Sequence, residues 1–153
     1  MLDSTVLPFN ELKPVTKVQR LFANLNRDAV TLDNFATVYS EDIVFVDPAH
    51  EIQGLEQLVR YSQSMYDNVI SCRFEFTGVV ESEQSAVLTW NMVLQHPKLN
   101  KGATFEVPGC SHIEFDSKLI TYHRDYFDLG SMIYERVPVL GMIVRKIKRG
   151  LGK

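Results

Sequence analysis

The stretch that decides the fold is Tyr122-His123-Arg124-Asp125-Tyr126-Phe127-Asp128. Aromatic and ionisable side chains alternate through it with a period of two, the pattern of a strand between a wet and a packed face. His123, Asp125 and Phe127 fall on one face, and Tyr122, Arg124 and Tyr126 on the other. An imidazole two residues from a carboxylate, flanked by rings, can form a proton-handling pair at the wall of an apolar pocket. The same spacing suits a charged sheet face with aromatic cross-strand partners, and spacing alone leaves both readings open.

Outward from this stretch, residues 71–81, 85–96, 103–116 and 119–129 read as four long strands. Short turns at Ser82-Glu83-Gln84 and Ser117-Lys118 and a polar loop over 97–102 separate them. Upstream, Pro14 suits the first turn of a helix running to about Arg27, with Val15, Val18, Leu21, Phe22 and Leu25 as its apolar stripe. Thr31 can cap a second helix through Tyr39, on which Leu32, Phe35, Ala36 and Tyr39 share a face. Ile43-Val44-Phe45-Val46 reads as a strand ended by Asp47-Pro48, the proline holding Asp47 extended. Gly54 precedes a third helix over 55–68, and Pro138 opens a last one over 139–150. Three helices followed by a mostly antiparallel meander predict an α+β domain in which helices cover one face of a curved, cone-shaped sheet. Such a cone encloses a pocket.

At 153 residues, with 45% hydrophobic and 23% charged side chains, the chain has the size and balance of one soluble domain over 1–153. Its core is expected over 12–130, with a basic helical extension over 131–153. The net charge of -3 predicts no general affinity for nucleic acid, but the average hides an asymmetry. Residues 135–153 carry six basic side chains against Glu135, a balance of +5 that leaves -8 for residues 1–134. Cys72 and Cys110 are far apart and in no metal-ligand spacing, so buried free thiols are expected. Met1-Leu2-Asp3-Ser4 lacks the basic start and apolar core of a signal peptide. No apolar run approaches the roughly 20 residues of a membrane span, and the cytoplasm is the expected compartment. No nucleotide, phosphate-loop or metal signature is visible, so no cofactor is expected.

The order helix, helix, strand, Asp-Pro, helix and long meander resembles the nuclear transport factor 2-like superfamily. The specific pieces are Tyr39-Ser40-Glu41-Asp42-Ile43-Val44-Phe45-Val46-Asp47-Pro48 and Ile120-Thr121-Tyr122-His123-Arg124-Asp125-Tyr126-Phe127-Asp128. Within that superfamily the chain looks like the SnoaL-like, ketosteroid isomerase and limonene-epoxide hydrolase branches, over about residues 12–130. The resemblance puts Asp47 where ketosteroid isomerases keep the carboxylate that moves a proton between carbons. A strand-end carboxylate capping local N–H groups is the plainer account of Asp47. Leu21 and Ser111 stand where that family has its two oxyanion donors, which argues against efficient steroid isomerisation. Asp125 matches a catalytic aspartate of the epoxide hydrolases, but Asn91 and Val93 stand where an arginine and a second aspartate would complete that triad. What the resemblance leaves facing one cavity is His123, Asp125 and Asn91, akin to the SnoaL-like polyketide cyclases, where one acidic residue serves as acid and base.

The same alignment turns Ser111, Ile113 and Phe115 inward and His112 outward. A strict two-residue turn at Ser117-Lys118 would instead set His112 opposite His123, unless a bulge shifts the register. By alternation from Asn91, Trp90 should face away from the cavity, in outer packing or a dimer contact. His50 belongs near the pocket mouth or in solvent, and His96 at a strand end. Phe22, Phe35, Tyr39, Phe45 and Tyr61 read mostly as core, with a minority lining an apolar ligand site. Tyr39, Asn91, Ser111 and Phe127 are the candidate binding residues.

In the extension, Leu140, Ile143, Val144, Ile147 and Leu151 form an apolar stripe flanked by Arg145, Lys148 and Arg149. It is expected to dock on the sheet or on a second subunit, or to touch an anionic membrane surface or acidic partner weakly. Three functions compete. The first is an acid/base isomerase or cyclase for an apolar carbonyl compound, with Asp47 or Asp125 as base and His123 as its partner. The second is a non-catalytic binder of an apolar small molecule, and the third a dimeric interaction module. A homodimer through the outer face of the sheet is expected from the resemblance.

Overall fold

The computed structural model describes residues 7–152; Met1 to Ser4 and Lys153, read above for targeting and charge, lie outside them. Helix α1 (Pro14–Ala23) starts on the proline, whose missing N–H costs nothing in a first turn. It buries Val15, Val18 and Leu21 and ends four residues before the expected Arg27. Asn26 is the cause: its side chain accepts from the N–H groups of Asp28 and Ala29 and opens a separate 3-10 turn. Helix α2 (Leu32–Ala36) is capped by Thr31 as expected but stops short of Tyr39. Tyr39 belongs instead to strand β1 (Tyr39–Val46), longer at its start than the sequence indicated.

The rest follows in order: β2 (Glu51–Gln53), α3 (Leu55–Asn68), β3 (Ser71–Glu81), β4 (Ser85–Gln95), β5 (Phe105–Phe115), β6 (Ile120–Phe127), α4 (Leu129–Met132) and α5 (Pro138–Gly150). Six strands form one curved, unclosed sheet in the order β2-β1-β6-β5-β4-β3. The meander β3 to β6 is antiparallel throughout, whereas β1 lies parallel to β6. That parallel contact places Phe45 beside His123 and brings the end of β1 to the strand that carries Asp125. Gly54, at a φ of 89° that side chains with a Cβ avoid, turns the chain into α3.

Register decides which faces look inward. Between β5 and β6, Ser111 pairs with Asp125, His112 with Arg124 and Ile113 with His123, after an irregularity between Glu114 and Phe115. The irregularity is a one-residue slip of the kind a bulge makes, and it sends His112 outward against the ring of Tyr122. On β4 the buried residues are Ala86, Leu88, Trp90, Met92 and Leu94. This reverses two expectations: Trp90 faces in and Asn91 faces out. The apolar alternation of β4 governs, and a register error of one residue flips every side chain of a strand.

Two apolar clusters hold the sheet to its cover. One joins α1, α2 and α3 to Ile43, Leu88, Ile113 and Ile120, and the other gathers Trp90, Met92, Leu94, Phe105, Val107 and Met132. Full burial of a side chain such as Ile113 is worth about 1.5–3 kcal/mol. Helix α5 does not dock on the sheet. It packs on the Tyr134–Arg136 turn and buries only Gly141. Among the described residues no helix is long and apolar enough to cross a membrane.

Candidate functional site

Between the two clusters lies a cavity of about 400 Å³, the size of a small organic ligand. Its walls are mainly apolar, with Phe22, Phe45, Trp90, Met92 and Phe127 among them, and two carboxylates, Asp47 and Asp125, share the lining. Of the candidate binding residues, Tyr39 and Phe127 line this cavity and Ser111 lies just behind it. Asn91 does not contribute. Its amide donates to Glu106 at 2.7 Å on the outer face of the sheet.

Asp125 is the focus of a hydrogen-bond network. Ser111 Oγ donates to Asp125 Oδ1 at 2.6 Å, and His123 Nε2 meets the same oxygen at 2.8 Å. Behind Ser111, the indole N–H of Trp90 donates to its hydroxyl at 2.8 Å. Behind His123, the Tyr39 hydroxyl lies 2.9 Å from Nδ1. Burial and the charge of Asp125 hold the Tyr39 phenol well above its usual range, so it keeps its proton beside Nδ1. Nε2 faces a carboxylate oxygen, which only accepts, so Nε2 carries a hydrogen and donates to Asp125. Two donor chains therefore run toward one carboxylate oxygen and fix its orientation. Among the described residues no hydrogen bond uses Oδ2.

His123 is almost fully buried, with the rings of Phe22, Tyr39 and Phe45 within 6 Å of its own. The pairing of His123 with Asp125 anticipated from the alternation is present. Its polar neighbours Tyr39 and Ser111 are cross-strand or distant in sequence and act on the pair, not on open space.

Asp47 sits at the end of β1, where Pro48 stops the strand. Its Oδ1 accepts from the N–H groups of Ala49 and His50, each at 2.7 Å, the local capping arrangement expected for an aspartate before a turn. Its Oδ2 accepts from the hydroxyl of Tyr61 on α3. His50 lies beside both, with Nδ1 at 3.3 Å from Asp47 Oδ1 and from the Tyr61 hydroxyl. Burial raises the Tyr61 phenol well above its usual range, with Asp47 and then Asp125 adding to the shift, so one phenol senses both carboxylates. Sequence reasoning left Tyr61 among aromatics read mostly as core, with a minority lining a ligand site, and gave its hydroxyl no role; it lines the cavity. Its spacing from Leu58 marks an inward helix face, but nothing local marks its hydroxyl as the partner of a strand-end aspartate. Cys72 also borders the cavity, its thiol pushed up to about 11 by burial. Among the described residues, no three His, Cys, Asp or Glu side chains gather as a metal site requires.

Residues 18–123 match the family model of the SnoaL-like domain. The chain belongs to the SnoaL-like family. Within this SnoaL-like chain the match takes in Asp47, Ser111 and His123, while Asp125 and Phe127 fall just beyond its end. No match is found among curated proteins. Among solved structures, the SnoaL-like chain is similar to a candidate SnoaL-like polyketide cyclase from Jannaschia sp. CCS1, at 13% identity and a TM-score of 0.67 over 78% of this chain and 88% of that one. It is also similar to TerC co-crystallised with polyporic acid, at 12% identity and a TM-score of 0.66 over 78% and 94%. A third is a protein of ketosteroid isomerase-like fold from Catenulispora acidiphila, in complex with trimethylamine, at 16% identity and a TM-score of 0.67 over 82% and 92%. At such identities these likenesses show the fold alone, and the family rests on the SnoaL-like domain match.

Proposed function

We propose that this SnoaL-like protein is an acid/base isomerase or cyclase acting on an apolar carbonyl compound. The observation that carries the reading is Asp125: one oxygen is tied by two donor chains, and its carboxylate borders an apolar cavity. A carboxylate held in that way is a positioned base. In the proposed reaction Asp125 Oδ2 removes a proton from the carbon next to the substrate carbonyl. The resulting enolate either regains a proton at another carbon or attacks a second carbonyl of the same molecule to close a ring. Asp125 then returns the proton. His123 and Ser111 orient the carboxylate, Tyr39 holds His123 at Nδ1, and Asp47 with Tyr61 forms a second polar group on the same cavity.

A second reading is favoured by a specific observation. The hydroxyls nearest Asp125 are already paired: Ser111 donates to Asp125, and Tyr39 is hydrogen-bonded to His123. Tyr61 likewise donates to Asp47. An enolate oxygen would therefore find few free donors, and a protein that only holds an apolar molecule fits this shortage. Under either reading the partner is an apolar small molecule, and a homodimer through the outer sheet face, where Val80 and Val87 lie exposed side by side, remains part of the proposal.

The test is mass spectrometry of natively purified protein for a co-purifying apolar small molecule, followed by turnover of that compound by the wild type and by Asp125→Asn. Conversion that Asp125→Asn abolishes at unchanged melting temperature supports the enzyme. Retention without conversion supports the binder. An empty protein whose melting ignores a panel of apolar carbonyl compounds overturns both.

A further inference from the structure

Helix α5 is turned the opposite way from a helix that completes a core. The side that meets the protein carries Gly141, the half-buried Val144 and two cations. Gly141 packs where a Cβ would overlap the Glu135 carbonyl, and its N–H donates to Val137 O at 2.6 Å. Arg145 donates to the same Glu135 carbonyl at 2.7 Å, and Lys148 reaches the Glu135 carboxylate at 2.5 Å and Asp128 at 3.5 Å. These contacts fix the rotation of the helix, and every apolar residue of the stripe except the half-buried Val144 points away from the protein. Leu140, Ile143 and Ile147, at helical spacing, are 41%, 50% and 59% exposed. Val139, Met142 and Leu151 add to the exposed apolar surface. Burying such side chains normally stabilises a fold, so a helix held this way exposes a surface suited to something else.

The charges indicate what. Four of the five residues 145–149 are basic, and α5 contains no acidic residue. Lys146 and Arg149 are exposed, border the apolar face and form no ion pair among the described residues. Two copies of α5 packed face to face would bring these cations against their own counterparts. An anionic bilayer surface supplies both a sink for the apolar face and countercharge for its rim. The helix spans roughly 20 Å, enough to lie in the interface plane and too short to span a membrane.

We propose that α5 docks the protein reversibly on an anionic lipid bilayer, with Leu140, Ile143 and Ile147 in the acyl boundary and Lys146 and Arg149 among the headgroups. The inference does not rest on the chemistry of the cavity, because no residue of α5 lines it.

The experiment is sedimentation of the full chain with phosphatidylcholine vesicles, with and without phosphatidylglycerol, at low and high salt. The wild type is expected to sediment with the phosphatidylglycerol vesicles, weakly with phosphatidylcholine alone, and less at high salt. Lys146→Gln with Arg149→Gln is expected to lower partitioning by about tenfold or more. Ile143→Asp with Ile147→Asp is expected to abolish it at an unchanged melting temperature, since these side chains touch no core. Failure of the wild type to sediment with phosphatidylglycerol vesicles overturns the proposal, as does equal sedimentation of the Ile143→Asp, Ile147→Asp variant. Dimerisation by light scattering that this variant abolishes, without vesicle binding, assigns the face to a second copy and also overturns it.

Discussion

Two donor chains converge on Asp125 Oδ1, and Ser111 is the link that serves both a donor and an acceptor. Ser111→Ala removes one hold on the carboxylate and leaves the Trp90 N–H buried without a partner. The expected cost is about 1–3 kcal/mol in chemical denaturation, together with a fall in turnover. Unchanged stability would mean that Trp90 finds another acceptor and that the chain is not the support it is taken for here. Cys72 gives a prediction in pH. Its folded-state value of about 11 lies above the ordinary 9.0, so the folded state holds the proton more tightly. The stability this contributes is fully present below pH 9 and is lost as pH rises through 11. Between those limits the wild type should lose stability more steeply than Cys72→Ala, as measured by urea unfolding at a series of pH values. Parallel curves would contradict the raised value of this half-buried thiol. At this scale the His123 and Asp125 pair was legible, because a two-residue spacing on one strand is local. Tyr39 was legible as an inward ring but not as the partner of His123, 84 residues away, since that contact depends on β1 lying beside β6.

At the level of elements, the sequence located the third helix and the meander closely, because long runs with one period leave little choice. It missed β2, whose three residues carry no periodic signal, and it overran α1, where the Asn26 turn outweighs the apolar stripe. The inward face of β4 was recoverable from its own alternation of Ala86, Leu88, Trp90, Met92 and Leu94; relying on a family alignment there gave Asn91 the wrong face. Strand β5 answers Trp90 with a glycine. Gly109 pairs with Trp90 across the sheet, and a Cβ at that position would overlap the indole ring. Gly109→Ala should therefore displace Trp90 from its place beside Ser111. A loss of about 1–3 kcal/mol and a shifted tryptophan emission are expected, measured by denaturation followed by fluorescence. Wild-type stability and emission would show that the strands part readily at this point.

The whole molecule is a curved sheet with a helical cover that leaves a cavity unfilled between two apolar clusters. The α+β architecture was legible from the order of elements, and the existence of a pocket followed from it. The cavity's second carboxylate group was not, because Asp47 and Tyr61 meet only when α3 folds over the end of β1. The orientation of α5 was also hidden, since an amphipathic pattern does not say which side faces the protein. Here Glu135 and Asp128 decide it by holding Lys148.

In the proposed function, Asp125 acts as a base toward a carbonyl compound in the cavity. The most direct test of this role is proton exchange at the carbon beside the carbonyl of an apolar cyclic ketone such as 2-tetralone, followed by NMR in deuterated buffer. The wild type is expected to accelerate deuterium incorporation, and Asp125→Asn to bind the ketone without accelerating exchange. Exchange at the buffer rate with the ketone bound to the wild type, or equal acceleration by Asp125→Asn, would contradict it.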